Sequence, residues 1–365
     1  MGHMHTSAPD EEQRRLQAIG WQANTAAIVV PHDRRLARVI AQHRNGYRLH
    51  DGVSEFGAQP APRFLRRSAD PEARPAVGDF VLVAAASPPS IEQVLTRRTV
   101  LSRAAAGERH VRQMIATNID TVFVLMGLDG DFNPRRIERY LVLTQGSGAL
   151  PVVVLTKLDK VDAATATAAL AELTATLPGI ELHEINAKDP VSVAPLLAHL
   201  GVGATAVLVG SSGAGKSTLT NTLLGVERQA TAAVRTTDSR GRHTTTHRSL
   251  IQLPGGACLI DTPGMRELKL TGDEDLGAAS FTDIEALALE CRFGDCGHGN
   301  EPGCAVRAAL ESGALDSERW LAYSKLRDEL AAASDAVEAQ LKRKAHARVA
   351  NKALGKRLLD KYGQR

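Results

Sequence analysis

The run Gly210-Ser211-Ser212-Gly213-Ala214-Gly215-Lys216-Ser217, followed by Thr218, has the spacing GxxxxGK[ST]. Glycines so placed let backbone N–H groups turn toward phosphate oxygens with no Cβ in the way. Lys216 is then the cation for β- and γ-phosphates, and Ser217 offers its hydroxyl to Mg²⁺. The motif carries meaning only between a strand and a helix. Apolar Ala204–Val209 precedes it and a helical stretch opens at Lys216, so that context is met. Asp261-Thr262-Pro263-Gly264 follows another short apolar run, Cys258–Ile260. An Asp at a strand end beside such a loop holds Mg²⁺, and a Gly N–H senses the γ-phosphate. In isolation Asp-x-Pro-Gly is an ordinary turn; its weight comes from the phosphate loop.

The base is read elsewhere. Thr156-Lys157-Leu158-Asp159 follows the apolar run Pro151–Leu155 and matches [NT]KxD. A carboxylate accepts from both N1–H and N2–H₂ of guanine, and adenine offers no such pair. The expected nucleotides are therefore GTP and GDP, with Asp159 as the selecting group and Thr156 in place of the usual Asn. Asn186-Ala187-Lys188, after Leu182–Ile185, is similar to the loop that supports the base. The order is informative: the base-reading loop comes first, the phosphate loop second and Asp261–Gly264 last, a circular permutation of the usual GTPase order.

Between the phosphate loop and Asp261 lies the polar stretch from Arg235 to Thr246, where a switch segment belongs. One of Thr244, Thr245 and Thr246 would reach Mg²⁺, and Thr245 is taken as that residue. Met265 stands where Ras-like enzymes keep a water-orienting Gln, and a thioether cannot orient water. His243 is the candidate for that work, a solvated loop histidine being the alternative. Slow intrinsic turnover follows from the missing Gln.

Cys291, Cys296, His298 and Cys304 fall within fourteen residues, interleaved with Gly and Pro. Three thiolates and an imidazole are the donor set of a closed structural zinc site, with no open position for catalysis. Cys258 lies in an apolar strand and is expected in the core.

These loops need a scaffold. Short apolar runs alternating with helical stretches (Pro134–Thr144, Ala163–Thr176, Val193–Leu200, Lys216–Leu224) imply a parallel sheet covered on both faces. Upstream, Thr25–Val30, Leu36–Gln42, Tyr47–His50, Asp79–Ala84 and Ile91–Thr99 read as short strands, separated by Gly/Pro clusters at Gly57–Pro62, Pro71–Gly78 and Pro88–Pro89. Five such strands suit a small OB or SH3-like barrel. Arg66–Arg67, Arg97–Arg98 and Arg103 would line a phosphate-facing surface, or be scattered surface charges. The expected layout is a tail over 1–23, a barrel over 24–110, an α/β GTPase over 111–272 and a mostly helical zinc-binding region over 273–365.

A net charge of +3 selects no partner by itself. Its distribution says more, since Leu341–Arg365 holds nine Lys and Arg against Asp360 alone. That run fits either a phosphate-seeking arm or a solvated helix face. No apolar stretch approaches the ~20 residues of a membrane helix. With three of the four cysteines in one window, a reducing, cytoplasmic setting is expected.

Taken together, the chain resembles the ribosome small subunit-dependent GTPase A family of bacteria. Beyond the nucleotide and cysteine motifs, the matches are Val77-Gly78-Asp79, Arg97-Arg98-Thr99, Gln113 to Asp120, and Gly241-Arg242-His243-Thr244-Thr245-Thr246. The resemblance implies an N-terminal OB-fold barrel, a circularly permuted P-loop GTPase and a C-terminal zinc domain with one Zn²⁺. It also implies Mg²⁺ with GTP, late maturation of the 30S subunit, contacts with 16S rRNA, and turnover stimulated by that subunit. A monomer with no membrane partner is expected. The residues alone also admit an RNA-binding module with a merely structural nucleotide, or a GTPase with a non-ribosomal partner.

Overall fold

In the computed structural model the described residues are 14–22, 30–43, 45–66, 71–104, 112–225, 248–262, 270–276 and 280–362. Five strands form the N-terminal barrel: β1 (Arg34–His43), β2 (Gly46–His50), β3 (Glu55–Pro60), β4 (Phe80–Ala84) and β5 (Ser90–Val94). Their order β1-β2-β3-β5-β4 closes because β4 also pairs with β1. Alternation drives the closure: in β2, Tyr47 and Leu49 point inward on either side of the exposed Arg48. They join Ala37, Val39, Ala58, Val81, Val83 and Ile91 in one core.

Two sequence expectations change here. The cluster Gly57–Pro62 is not merely a separator, because β3 runs through most of it. Ala58 is the strand's one fully buried side chain, too weak an apolar signal to show in the sequence. Pairing with β2 on one side and β5 on the other holds β3 in place. The run Ile91–Thr99 is also shorter as a strand, ending at Val94. Most of Thr25–Val30 lies outside the described residues.

A hairpin, β6 (Val100–Ala104) with β7 (Arg112–Thr117), leads into the second sheet. That sheet contains β8 (Thr121–Gly127), β9 (Leu150–Thr156), β10 (Glu181–Glu184), β11 (Thr205–Gly210), β12 (Ser249–Gln252) and β13 (Cys258–Asp261). The order is β10-β9-β8-β11-β13-β12, parallel except for β12. All seven residues of β8 are buried, which explains its unbroken apolar run. Val122, Val124 and Met126 pack in one core with Ile137 and Leu141, whereas Phe123 and Leu125 pack in the other with Leu196 and Leu219. The covering helices include α1 (Pro134–Gln145), α2 (Ala163–Thr176) and α3 (Lys216–Leu224). The stretch Val193–Leu200 forms a 3-10 helix, Ala194–His199, after one α-turn. Pro195 lacks the N–H that a continuing α-helix would use.

Barrel and sheet are continuous: β1 pairs with β12 through Ala41 and Ser249. Arg38 of β1 is fully buried at this junction and donates to the carbonyls of Ile19, Gly78 and Asn118 and to Thr205 Oγ1. The C-terminal region comprises α4 (Thr282–Leu289), α5 (Ala305–Ser312) and α6 (Ser317–Tyr362). The last carries the basic segment in helical form to Tyr362. Arg319 of α6 bridges Glu138 of α1 and Asp283 of α4 at 2.7 and 2.8 Å, fastening this region to the GTPase sheet.

Candidate nucleotide site and cysteine cluster

Strands β8, β9, β10, β11 and β13 run in one direction, so the loops after their carboxyl ends lie along one edge of the sheet. Ligands of such sheets sit there. Gly210 ends β11 at φ +150°, and a Cβ on it would meet the Leu125 carbonyl oxygen at 2.4 Å. Backbone occupies that space, so no side chain is admitted. Gly215 sits at φ +91° immediately before α3, packed against Thr156. These two positions shape the loop.

Lys216 is buried and turns back onto its own loop, donating to the carbonyls of Gly210 at 2.8 Å and Ser211 at 2.6 Å. Burial pulls its ammonium down to about 8, while Asp261 and Asp131 oppose the fall. A group desolvated this far gains strongly from an arriving anion. Ser217 is half-buried in the first turn of α3. Asp261 is buried at the end of β13, in register with Leu208 of β11. Thr262 Oγ1 donates to the Leu208 carbonyl at 2.7 Å, tying the Asp261 loop to the phosphate-loop strand.

The Thr156–Asp159 loop is joined to the Gly210–Ser217 loop directly. Thr156 Oγ1 donates to the Ala214 carbonyl at 2.8 Å, so a hydroxyl bridges the two loops at the position where Asn is usual. Lys157 adopts a left-handed conformation at φ 62°, and its Nζ reaches Asp129 at 2.6 Å. The Asp159 carboxylate accepts from Lys188 Nζ at 3.1 Å, which brings the Thr156–Asp159 and Asn186–Lys188 loops together. Asn186 Oδ1 accepts from the Lys188 N–H, and Thr222 of α3 donates to the Ala187 carbonyl at 2.6 Å. Three segments distant in sequence thus meet at one edge. Gly264, His243 and Thr245 lie outside the described residues.

Two acids at this edge escaped the sequence reading. Asp129 holds Lys157, and Asp131 accepts from Ser211 Oγ at 2.5 Å and from Arg136 at 2.6 Å. Burial opposes ionisation of Asp131, but the hydrogen bonds from Ser211 and Arg136 prevail and hold its carboxyl below the usual range. Both lie in the loop leaving β8. The sequence carries no sign that β8 inserts between β9 and β11, the strands that bear the recognised motifs.

The cysteine cluster is also assembled: ligand atoms of Cys291, Cys296, His298 and Cys304 all lie within 4.8 Å of one another. His298 Nδ1 is 3.6 Å from the sulfurs of both Cys291 and Cys304, and those sulfurs are 3.9 Å apart. Zinc at ~2.3 Å from sulfur and ~2.0 Å from nitrogen gives tetrahedral edges of roughly 3.5 to 3.8 Å. The donor set fits that ion. His298 reaches the cluster from φ +60°, and Gly303 at φ +79° turns the chain before Cys304. Cys258 is buried apart from the cluster, as expected.

A family model described as RsgA GTPase matches residues 94–271. The small ribosomal subunit biogenesis GTPase RsgA of Xanthomonas axonopodis pv. citri (strain 306) is 55% identical over 342 residues, covering 91% of this chain and 92% of that protein. The chain belongs to the RsgA GTPase family. Its counterpart from Xanthomonas euvesicatoria pv. vesicatoria (strain 85-10) is 57% identical over 330 residues, covering 88% and 90%. Among solved structures, YjeQ from Thermotoga maritima matches with a TM-score of 0.58 at 25% identity, over 81% of this chain and 98% of that one. YloQ, described as a circularly permuted GTPase, matches the fold with a TM-score of 0.56 at 22% identity, over 85% and 98%.

Of the remaining stretches that resemble the RsgA family, those around Val77–Asp79, Arg97–Thr99 and Gln113–Asp120 meet at the barrel–sheet junction, whereas Gly241–Thr246 lies outside the described residues. Arg97 grips the buried Asp79 with two hydrogen bonds of 2.8 and 2.7 Å. Arg98 pairs with Asp120 at 3.1 Å, Thr99 Oγ1 donates to the Ile119 carbonyl, and Asn118 donates to the Gly78 carbonyl. A Cβ on Gly78 would lie 2.1 Å from the Thr117 carbonyl oxygen. Arg97 and Arg98 are thus turned to carboxylates, and the expected phosphate-lined surface loses two of its members. No helix among the described residues is long and apolar enough to cross a membrane.

Proposed function

We propose that this chain hydrolyses GTP in biogenesis of the small ribosomal subunit, binding the 30S subunit and turning over faster on it. The observation that carries the reading is the assembly of permuted nucleotide loops at one sheet edge, in a chain more than half identical to RsgA proteins along nine-tenths of its length.

In this reading Gly210–Ser217 and Thr218 cradle the phosphates, with Lys216 leaving its loop carbonyls to meet them. Ser217 and Asp261 hold Mg²⁺, joined by Thr245 from the switch, and the Gly264 N–H senses the γ-phosphate. Asp159 exchanges Lys188 for the guanine edge, while Thr156, Lys157, Leu158, Asn186, Ala187 and Lys188 frame the base. His243 orients the attacking water. The barrel is an OB fold, for which the closed order with parallel β3 and β5 speaks. It spans residues 24–110, the GTPase 111–272 and the zinc region 273–365. One structural Zn²⁺ binds Cys291, Cys296, His298 and Cys304. The protein works as a cytoplasmic monomer that contacts 16S rRNA, with the basic end of α6 supplying phosphate contacts.

The test is GTP turnover by the full chain alone, with 30S and with 50S subunits at matched salt. Stimulation by 30S alone is expected. Equal stimulation by both subunits, or none, would refute the small-subunit assignment while leaving nucleotide recognition intact.

A further inference from the structure

Glu181, His183 and His199 converge at the amino end of β10, on the outer edge of the GTPase sheet. Glu181 and His183 are two apart on a strand and therefore share a face. His199 arrives from the end of the 3-10 helix Ala194–His199. Nε2 of His183 lies 2.7 Å from Glu181 Oε1, and Nε2 of His199 lies 3.0 Å from the same oxygen. The three ligand atoms fall within 4.8 Å of one another.

Both rings are held in place. The His199 side chain is 12% exposed and stands edge-on to the fully buried Phe123, with centroids 5.8 Å apart. The His183 side chain is 20% exposed and its ring lies 6.4 Å from that of His199. The Glu181 side chain is 45% exposed, so the cluster opens to solvent on the carboxylate side.

We propose that Glu181, His183 and His199 form a second metal site, which takes one zinc-class divalent transition-metal ion. Two imidazoles and a carboxylate form a three-protein-ligand set suited to Zn²⁺, with a fourth position left for water. Metal–ligand bonds of ~2.0 to 2.2 Å require nitrogen–oxygen edges of roughly 3.4 Å. The observed spacings of 2.7 and 3.0 Å are about 0.7 and 0.4 Å tighter, and the partly exposed Glu181 side chain can move by that amount. Each imidazole donates its Nε2 lone pair to the ion, with its single ring proton on Nδ1.

The site is distinct from both others. The nucleotide loops leave the carboxyl ends of the strands, whereas Glu181 begins β10. The Cys₃His cluster belongs to the C-terminal region. The bound ion would link β10 to the segment that returns after Asn186-Ala187-Lys188, and so fasten both flanks of a base-supporting loop.

The experiment uses the full chain with its Cys₃His cluster loaded with zinc and loosely held metal removed by a weak chelator. Zn²⁺ is then titrated calorimetrically and total bound zinc counted by elemental analysis. The wild type is expected to take one further equivalent and to gain thermal stability with it. His199→Gln and Glu181→Gln should each weaken that equivalent by about tenfold or more, leaving the cysteine-bound zinc in place. Glu181→Gln alters a partly exposed side chain and preserves the fold if His199→Gln does not. Failure of the wild type to bind a further equivalent would overturn the proposal. So would unchanged affinity in Glu181→Gln, which is also what zinc held by His3 and His5 would give.

Discussion

Arg38 at the barrel junction and Lys216 in the phosphate loop are both buried cations, and burial lowers the proton affinity of each. Their hydrogen bonds differ in kind. Arg38 spends its donors on carbonyls from three separate segments and on Thr205, so its charge is locked into architecture. Among the described residues Lys216 donates to Gly210 and Ser211 alone, two carbonyls of the loop it belongs to. Its contacts can be exchanged without parting any two elements of the fold. A desolvated charge satisfied by distant segments acts as a staple, whereas one satisfied locally is poised for a ligand.

The contrast is open to direct attack. Arg38→Met strands the carbonyls of Ile19, Gly78 and Asn118, and should cost about 3–5 kcal/mol in urea unfolding. A loss under ~1 kcal/mol would deny Arg38 its stapling role. Asp159→Asn should leave unfolding nearly unchanged and lower the preference for GDP over ADP by about 100-fold or more in competition binding, because the guanine edge loses its double acceptor. Retained preference would move base reading elsewhere. Thr156→Val removes the hydroxyl from the Ala214 carbonyl and should weaken GDP by about 1–2 kcal/mol, read by titration. A larger loss of stability than of affinity would place this bridge with the architecture instead.

The sequence disclosed the nucleotide loops because each is a short contiguous string anchored to an apolar strand. The cysteine cluster was legible for the same reason, its three cysteines and His298 all lying between Cys291 and Cys304. What stayed hidden depends on which strands become neighbours. Asp129 and Asp131 matter because β8 lies between β9 and β11, and nothing local to them says so. The stretches around Asp79, Arg97 and Asn118 supported a resemblance, yet their physical role appears only once the barrel meets the sheet. Strand β3 was missed because its pairing partners, rather than its own apolar content, hold it. His199 gave no sequence signal either, being sixteen residues from His183.

The most direct trial is Lys216→Met, with GDP binding and urea stability measured on the same preparation. Folded Lys216 titrates near 8 against the ordinary 10.5. Below pH 8 both folded and unfolded chains hold the proton, so the full burial penalty applies. Between 8 and 10.5 the folded chain sheds it first, and wild-type stability rises with pH. The variant should therefore lose GDP affinity by about 100-fold or more while unfolding about 1–2 kcal/mol less readily at pH 7. That stability gain should shrink as pH climbs past 8. Retained GDP affinity, or a destabilisation as large as that of Arg38→Met, would contradict the account.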